Sequence, residues 1–222
     1  MAKHVEPLPV AVLSRSERKQ HTRERLREAA LDLLSRGQSF PGLSLREVTR
    51  EAGVVPTAFY RHFRDLDELG LSLVEEAGLV LRRLLREARQ AGLPTEDIIR
   101  SSVRIYSAYV RAHPRQFRLA ASERAGGSPL LRQAIRSEVA HFVREMAQDL
   151  RLLGFRADLP TADLELICSL VVNTMLGAAG EILDLPEGQG QAARELEERF
   201  VGQLRLIFLG AERWRATSAS GP

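Results

Sequence analysis

Thr57, Tyr60 and Arg61 are spaced i, i+3 and i+4. On a helix such positions share one face. Threonine and tyrosine hydroxyls both donate and accept hydrogen bonds, whereas arginine only donates. Phe59 and Phe63 fall on the opposite side, facing Val48 and Ala52, so the polar trio turns outward. Ala58 is small enough to let such a helix approach a base edge or a thymine methyl. His62 flanks Tyr60, and Arg46 begins the preceding helix, within reach of a phosphate or a guanine edge. Lys19, Thr22 and Arg23, near the start of the first helix, can clamp phosphates. This is the chemistry of hydrogen bonding and charge pairing with double-stranded DNA.

Patterns for bond-making chemistry are missing. The sequence has no phosphate loop, no GxGxxG turn and no metal-ligand spacing, and its five histidines are scattered. The single cysteine, Cys168, lies mid-helix with no histidine within one turn and reads as a small buried apolar residue. No enzyme, no cofactor and no metal site is expected. The apolar stretch 8–13 is short and holds Pro9, so it does not read as a secretory signal. The longest uncharged run, 166–180, falls short of the ~20 residues of a membrane span. A cytoplasmic protein without membrane contact is expected.

The elements that position these residues are all helical. Prolines and glycines punctuate the chain, and no segment alternates with period two over a strand's length. Helix one is expected over 16–36. Helix two starts at Ser44, with Glu47 completing a capping box, and stops at Gly53. Helix three runs from Pro56 to near Phe63, and a long helix four spans about 66–91 with one apolar stripe. Five further helices follow, broken at His113-Pro114, Gly126-Gly127, Pro160 and 186–190. The expectation is an all-α chain of about nine helices. A disordered arm (1–15) precedes a three-helix helix-turn-helix domain (16–64), joined by the long helix to a ligand-binding and dimerisation domain (65–215), with a disordered tail (216–222). Charge agrees: residues 1–64 hold 12 Lys/Arg against 7 Asp/Glu, while the remainder holds 20 against 22.

Residues 44–63, with Gly53, Tyr60 and Phe63 at their motif positions, resemble the DNA-binding domain of the TetR family of transcriptional regulators. The resemblance implies that helix three enters the major groove, with Tyr60 and His62 at the backbone and Thr57 and Ala58 near bases. This chain departs at the start of helix four, where many members have a phosphate-contacting lysine and it has Leu66. Segments 63–71, 123–128 and 132–135 resemble the FabR/DesT-type repressors within that family. That implies control of unsaturated fatty acid synthesis or desaturase genes, with long-chain acyl-CoA or acyl-carrier thioesters as effectors.

An acyl sensor needs an apolar tunnel between helices. Leu81, Tyr106, Phe117, Phe142, Met146 and Ile167 are its candidate walls, with Asn173 or His141 meeting the thioester carbonyl. Arg124, with Arg115 and Arg118, forms a basic group for the coenzyme phosphates. Another apolar effector, or an adaptor that binds no DNA, fits the same pattern. Two reading helices are required for a palindromic operator, about 34–36 Å apart, so a two-fold homodimer is expected. Its interface is assigned to the small residues Gly177, Ala178 and Gly180 and the apolar Phe200, Leu204 and Ile207.

Overall fold

The structure, a computed structural model, describes residues 14–90, 95–125, 127–186 and 188–215. The described residues form nine α-helices and one short 3₁₀ turn, with no strand among them. They are α1 (Arg15–Ser35), α2 (Leu45–Glu51), α3 (Pro56–Phe59), α4 (Leu66–Gln90), α5 (Thr95–Ala112), α6 (Pro114–Ala125), α7 (Pro129–Leu152), α8 (Thr161–Asp184) and α9 (Gly190–Arg213). Most of the expected 1–15 arm and the 216–222 tail lie outside the described residues; Ser14 and Arg15 do not belong to an arm. Ser14 caps α1: its Oγ accepts from the Glu17 amide at 3.2 Å, and Glu17 accepts from the Ser14 amide at 2.7 Å. Such a box satisfies two backbone donors that a helix start leaves orphaned.

The same device starts α2, where Ser44 and Glu47 exchange bonds at 3.3 and 3.2 Å. Pro56 opens α3 at a position where its missing N–H has no helical partner. Regular α3 is shorter than expected, but its last turn continues through Arg61 and His62 as i→i+3 bonds. The fully buried Phe59 and nearly buried Phe63 pin it down, their ring centroids 5.7 Å apart.

Two apolar cores result. The front core joins α1, the Phe40 turn, α2 and α3 with Leu69 and Leu73 of α4. Leu119 of α6 and Leu131 of α7 complete it. The front domain therefore does not end cleanly at residue 64; later helices supply its floor. At Gly70 a Cβ would stand 2.3 Å from the Phe40 ring, so α4 reaches this core only because the position lacks a side chain. The rear core gathers α5, α7, α8 and α9 around the buried stripe of α8. Helix α8 has the length and hydropathy of a membrane span, yet its Leu164, Cys168, Ala178 and Ile182 form the middle of this core. Burial pushes the Cys168 thiol up to about 12, which keeps it protonated and inert.

Ionic struts lock the helices together. Along α4, Arg82, Arg86 and Arg89 meet Glu138, Glu145 and Asp149 of α7. Arg27 of α1, itself buried, pairs with Glu24 at 3.0 Å and with Glu76 of α4. Arg115 of α6 bonds Glu28 and Asp32 of α1, one helical turn apart.

Candidate DNA interface and effector cavity

Helix α2, the turn 52–55 and α3 stand as a helix-turn-helix. Gly53 turns the chain at φ +62°, a left-handed conformation suited to glycine. Arg25 of α1 reaches into this turn and donates to the Ala52 carbonyl at 2.5 Å and to the Gly53 carbonyl at 3.3 Å. Arg25 escaped the sequence reading, since its spacing marks only an exposed helix position.

On the outer side of α3, Thr57, Tyr60 and Arg61 are exposed together, Tyr60 by 63% of its surface, and Ala58 is half-buried beside them. Lys19 and Arg46 are exposed as well. Val55, 64% exposed, adds an apolar contact point next to this face that the sequence reading missed. Its signal was an aliphatic residue directly before Pro56 with no place in the inward period.

Three candidates stand differently from expectation. Arg23 is engaged within the protein: its guanidinium donates to the His62 carbonyl at 2.8 Å and lies 4.2 Å from the centre of the Phe63 ring. It holds the end of the reading helix against α1. Thr22 turns its hydroxyl back to the Arg18 carbonyl at 2.9 Å. His62 is half-buried, and its Nδ1 has no hydrogen-bond partner among the described residues. Desolvation, then Lys19, Arg23 and Arg61, lower its pKa, so the ring is neutral at pH 7. Leu66, the departure at the start of α4, packs half-buried on the front core, and no phosphate contact is available from it.

These positions separate two roles. Arg46→Ala is expected to weaken DNA binding and flatten its salt dependence, by about 1 unit of slope for each phosphate that Arg46 neutralises. Arg23→Ala is expected to weaken binding with the slope unchanged, and to lower the melting temperature. Fluorescence anisotropy across a salt series, beside thermal unfolding, distinguishes them.

The sequence matches two family descriptions in tandem: bacterial regulatory proteins of the tetR family over residues 26–73, and the tetracyclin repressor-like C-terminal domain over 94–210. The chain belongs to the TetR family. As a TetR-family chain it is a DNA-binding transcriptional regulator and not an enzyme. Solved structures agree in fold. A transcriptional regulator from Pseudomonas aeruginosa PAO1 matches at 20% identity and TM-score 0.67, covering 91% of this chain and 96% of that one. A tetR-family regulator from Streptomyces coelicolor matches at 23% identity and TM-score 0.63, covering 88% and 84%. The fatty acid degradation regulator FadR from Bacillus halodurans matches at 15% identity and TM-score 0.64, covering 87% and 97%.

Behind the TetR-type reading head lies an apolar cavity of about 500 Å³, walled by α4 to α9. That volume sits inside the roughly 300–1,000 Å³ typical of small-molecule sites. Leu81, Tyr106, Phe117, Phe142 and Met146 line it, as the sequence reading placed them. Three other candidates do not. Ile167 is buried in the rear core away from the wall. Asn173 is exposed on α8, its Nδ2 bonded back to the Ser169 carbonyl at 2.8 Å. Arg124 is exposed too, 3.5 Å from Asn173 Oδ1. His141 is likewise outside, beside Glu138. Arg115 is not available for a coenzyme phosphate, because α1 holds it.

The described residues 123–125 and 127–128, from a segment that carried the narrower resemblance, stand at a corner. Glu123, 3% exposed, accepts the Ser128 amide at 2.5 Å, and Gly127 turns at φ +52° directly over that carboxylate. Ser128 in turn caps α7. These residues shape the α6–α7 junction and are absent from the cavity wall.

Part of the dimer assignment needs correction, while its Gly177 and Gly180 are exposed. Ala178, Phe200 and Leu204 are at most 3% exposed inside the protomer's own core, and Ile207 packs partly against it. The outward stripe of α8 is instead Leu166, Leu170, Asn173, Gly177 and Gly180, spaced four, three, four and three. On α9 it is the half-buried Gly202 with the exposed Leu206, Leu209 and Arg213. Leu206 and Leu209 are 70% and 57% exposed, and an added Cβ at Gly177, Gly180 or Gly202 would meet nothing within 4 Å.

Proposed function

We propose that this chain is a dimeric repressor of a palindromic operator, controlled by a long-chain acyl effector presented as a coenzyme A or carrier-protein thioester. Its proposed targets are genes of unsaturated fatty acid synthesis or desaturation. The apolar cavity carries this reading. Its walls are hydrocarbon for most of their extent, which suits an acyl chain and little that is polar. The resemblance of segments 63–71 and 132–135 to FabR/DesT-type repressors supports the same class. FadR from Bacillus halodurans shares the fold at 15% identity and lends no ligand.

Family members bind operator DNA as dimers with small-molecule effectors. In this chain the exposed heptad stripes of α8 and α9 are the proposed pairing face. Leucines and glycines at that spacing allow two helix pairs to interlock as a four-helix contact. Coupling passes through α6. Gln116 and Phe117 line the cavity while Arg115, next in the chain, bonds α1. A ligand that displaces Phe117 moves the same helix that grips the reading head. Couplings of this kind are worth about 1–3 kcal/mol.

An apolar effector of another class fits the same walls, because the described residues of the 123–128 segment are not among those of the cavity wall. DNase protection across lipid-gene promoters, with and without oleoyl-CoA and palmitoyl-CoA, separates the two. Protection of a palindrome that oleoyl-CoA strengthens and palmitoyl-CoA weakens is the expected result. Identical responses to the two thioesters, or no protected lipid promoter, overturn the acyl reading.

A further inference from the structure

Among the residues of the cavity wall one buried polar group stands apart. Tyr106 forms part of the wall and is 3% exposed, yet its hydroxyl has no hydrogen-bond partner among the described residues. Leaving a buried hydroxyl unbonded is costly, and such sites call for a missing partner. The ring is fixed edge-on against Phe117 of α6, with centroids 5.8 Å apart. Burial pushes the phenol well above its ordinary value, so it stays protonated and offers a donor.

The charged groups of the wall narrow what can meet that donor. Arg82, Arg89 and Glu138 are the charged residues among the described wall positions. Arg82 is paired with Glu138, and Glu145 stands 3.6 Å from its Nε. Arg89 gives both Nε and Nη2 to Asp149, at 3.1 and 2.6 Å. Both guanidiniums are thus neutralised by protein carboxylates. A ligand carboxylate entering here would lose its hydration and meet wall guanidiniums that are already paired, while Arg124, whose charge acts on the Tyr106 phenol, lies exposed outside the wall. An uncharged carbonyl loses far less and supplies the acceptor that Tyr106 lacks.

We infer that the cavity binds an apolar ligand through an uncharged carbonyl oxygen, of an ester, thioester or ketone, which accepts a hydrogen bond from the Tyr106 hydroxyl, and that it discriminates against the free acid of the same chain. This rests on the effector-binding reading of the cavity and specifies its head group.

Isothermal titration of the full chain at pH 7.5 with methyl dodecanoate, dodecanoate and dodecane tests it, in the wild type and in Tyr106→Phe. The ester is expected to bind wild type more tightly than either other probe. Tyr106→Phe should weaken the ester roughly three- to tenfold and leave dodecane unchanged. Without ligand, Tyr106→Phe should melt higher than wild type, since it deletes an unbonded buried hydroxyl. A lower melting temperature would show that the hydroxyl serves the fold through a bound water, and would overturn the assignment. So would equal ester affinity in the two proteins, or tighter binding of dodecanoate than of its ester. If none of the three probes binds, the effector-cavity reading itself fails. If dodecane and ester bind alike in both proteins, only the anchor fails.

Discussion

Tyr60→Ala is expected to remove measurable operator binding at physiological salt while the protein remains folded and dimeric. The ring is 63% exposed, so truncating it takes almost nothing from the front core. Among the described residues its aromatic contact is edge-on to the fully buried Phe59, with centroids 5.8 Å apart. A large exposed aromatic on a short helix has no folding role to account for it. Its position beside Thr57 and Arg61 puts it where the duplex would lie. Interface hot spots of this type cost about 2 kcal/mol or more on truncation to alanine. A dimer carries two copies far apart, and distant effects add. The expected loss is about 4 kcal/mol, or roughly a thousandfold in affinity. Anisotropy with an operator fragment, beside thermal unfolding and sedimentation, measures all three properties. Affinity within threefold of wild type would mean that the duplex contacts another face.

The exposed side of α3 was legible in sequence because two periodicities constrained it at once. Phe59 and Phe63 had to go inward, and the i, i+3, i+4 positions then had to go out. Capping residues were equally legible: Ser44-Glu47 and Ser128-Pro129 start helices for local reasons that tertiary packing does not alter. The cavity wall was half legible. Tyr106, Phe117 and Phe142 sat on inward faces, but Ile167 did too, and spacing cannot say whether an inward residue meets a void or another side chain. Long side chains were the weakest guide. Arg23 and Arg25 both begin on the accessible side of α1, and both curl back to backbone carbonyls of the reading head.

Gly177 and Gly180 of the expected dimer face lie on the outside, and the burial of Ala178, Phe200 and Leu204 has a different reason. Helix α9 carries two apolar stripes, one through Phe200, Leu204 and Phe208 and another through Leu206 and Leu209. A helix sandwiched between its own core and a partner needs both, and the sequence does not mark which is which. The buried choice fell to the larger aromatic stripe. On α8 the small residues divide in the same way, with Ala178 inside and its neighbour Gly177 outside.

Asp149→Ala is expected to be the most destabilising single substitution away from the apolar cores. Asp149 and Arg89 are 6% and 5% exposed, and two hydrogen bonds join the guanidinium to one carboxylate oxygen. Removing the carboxylate strands a cation that cannot regain water, with Arg86, now 3.8 Å from that carboxylate oxygen, left as a like charge nearby. Breaking a buried pair in this way costs about 3–5 kcal/mol, a large share of the roughly 5–15 kcal/mol that holds a domain folded. Urea unfolding should show the midpoint falling with the slope unchanged. Arg89→Met in the same chain should recover much of the loss, because two apolar residues do not strand a charge. Arg89 also borders the cavity, which gives a second readout. Once its carboxylate is gone, the guanidinium becomes the free cation that the wild-type wall lacks. Dodecanoate should then stabilise Asp149→Ala more than it stabilises wild type, by mass action on the folded state. If the variant unfolds at the wild-type midpoint, the pair is not a buried strut between α4 and α7. If dodecanoate stabilises both proteins equally, pairing with Asp149 is not what keeps Arg89 from attracting an acid.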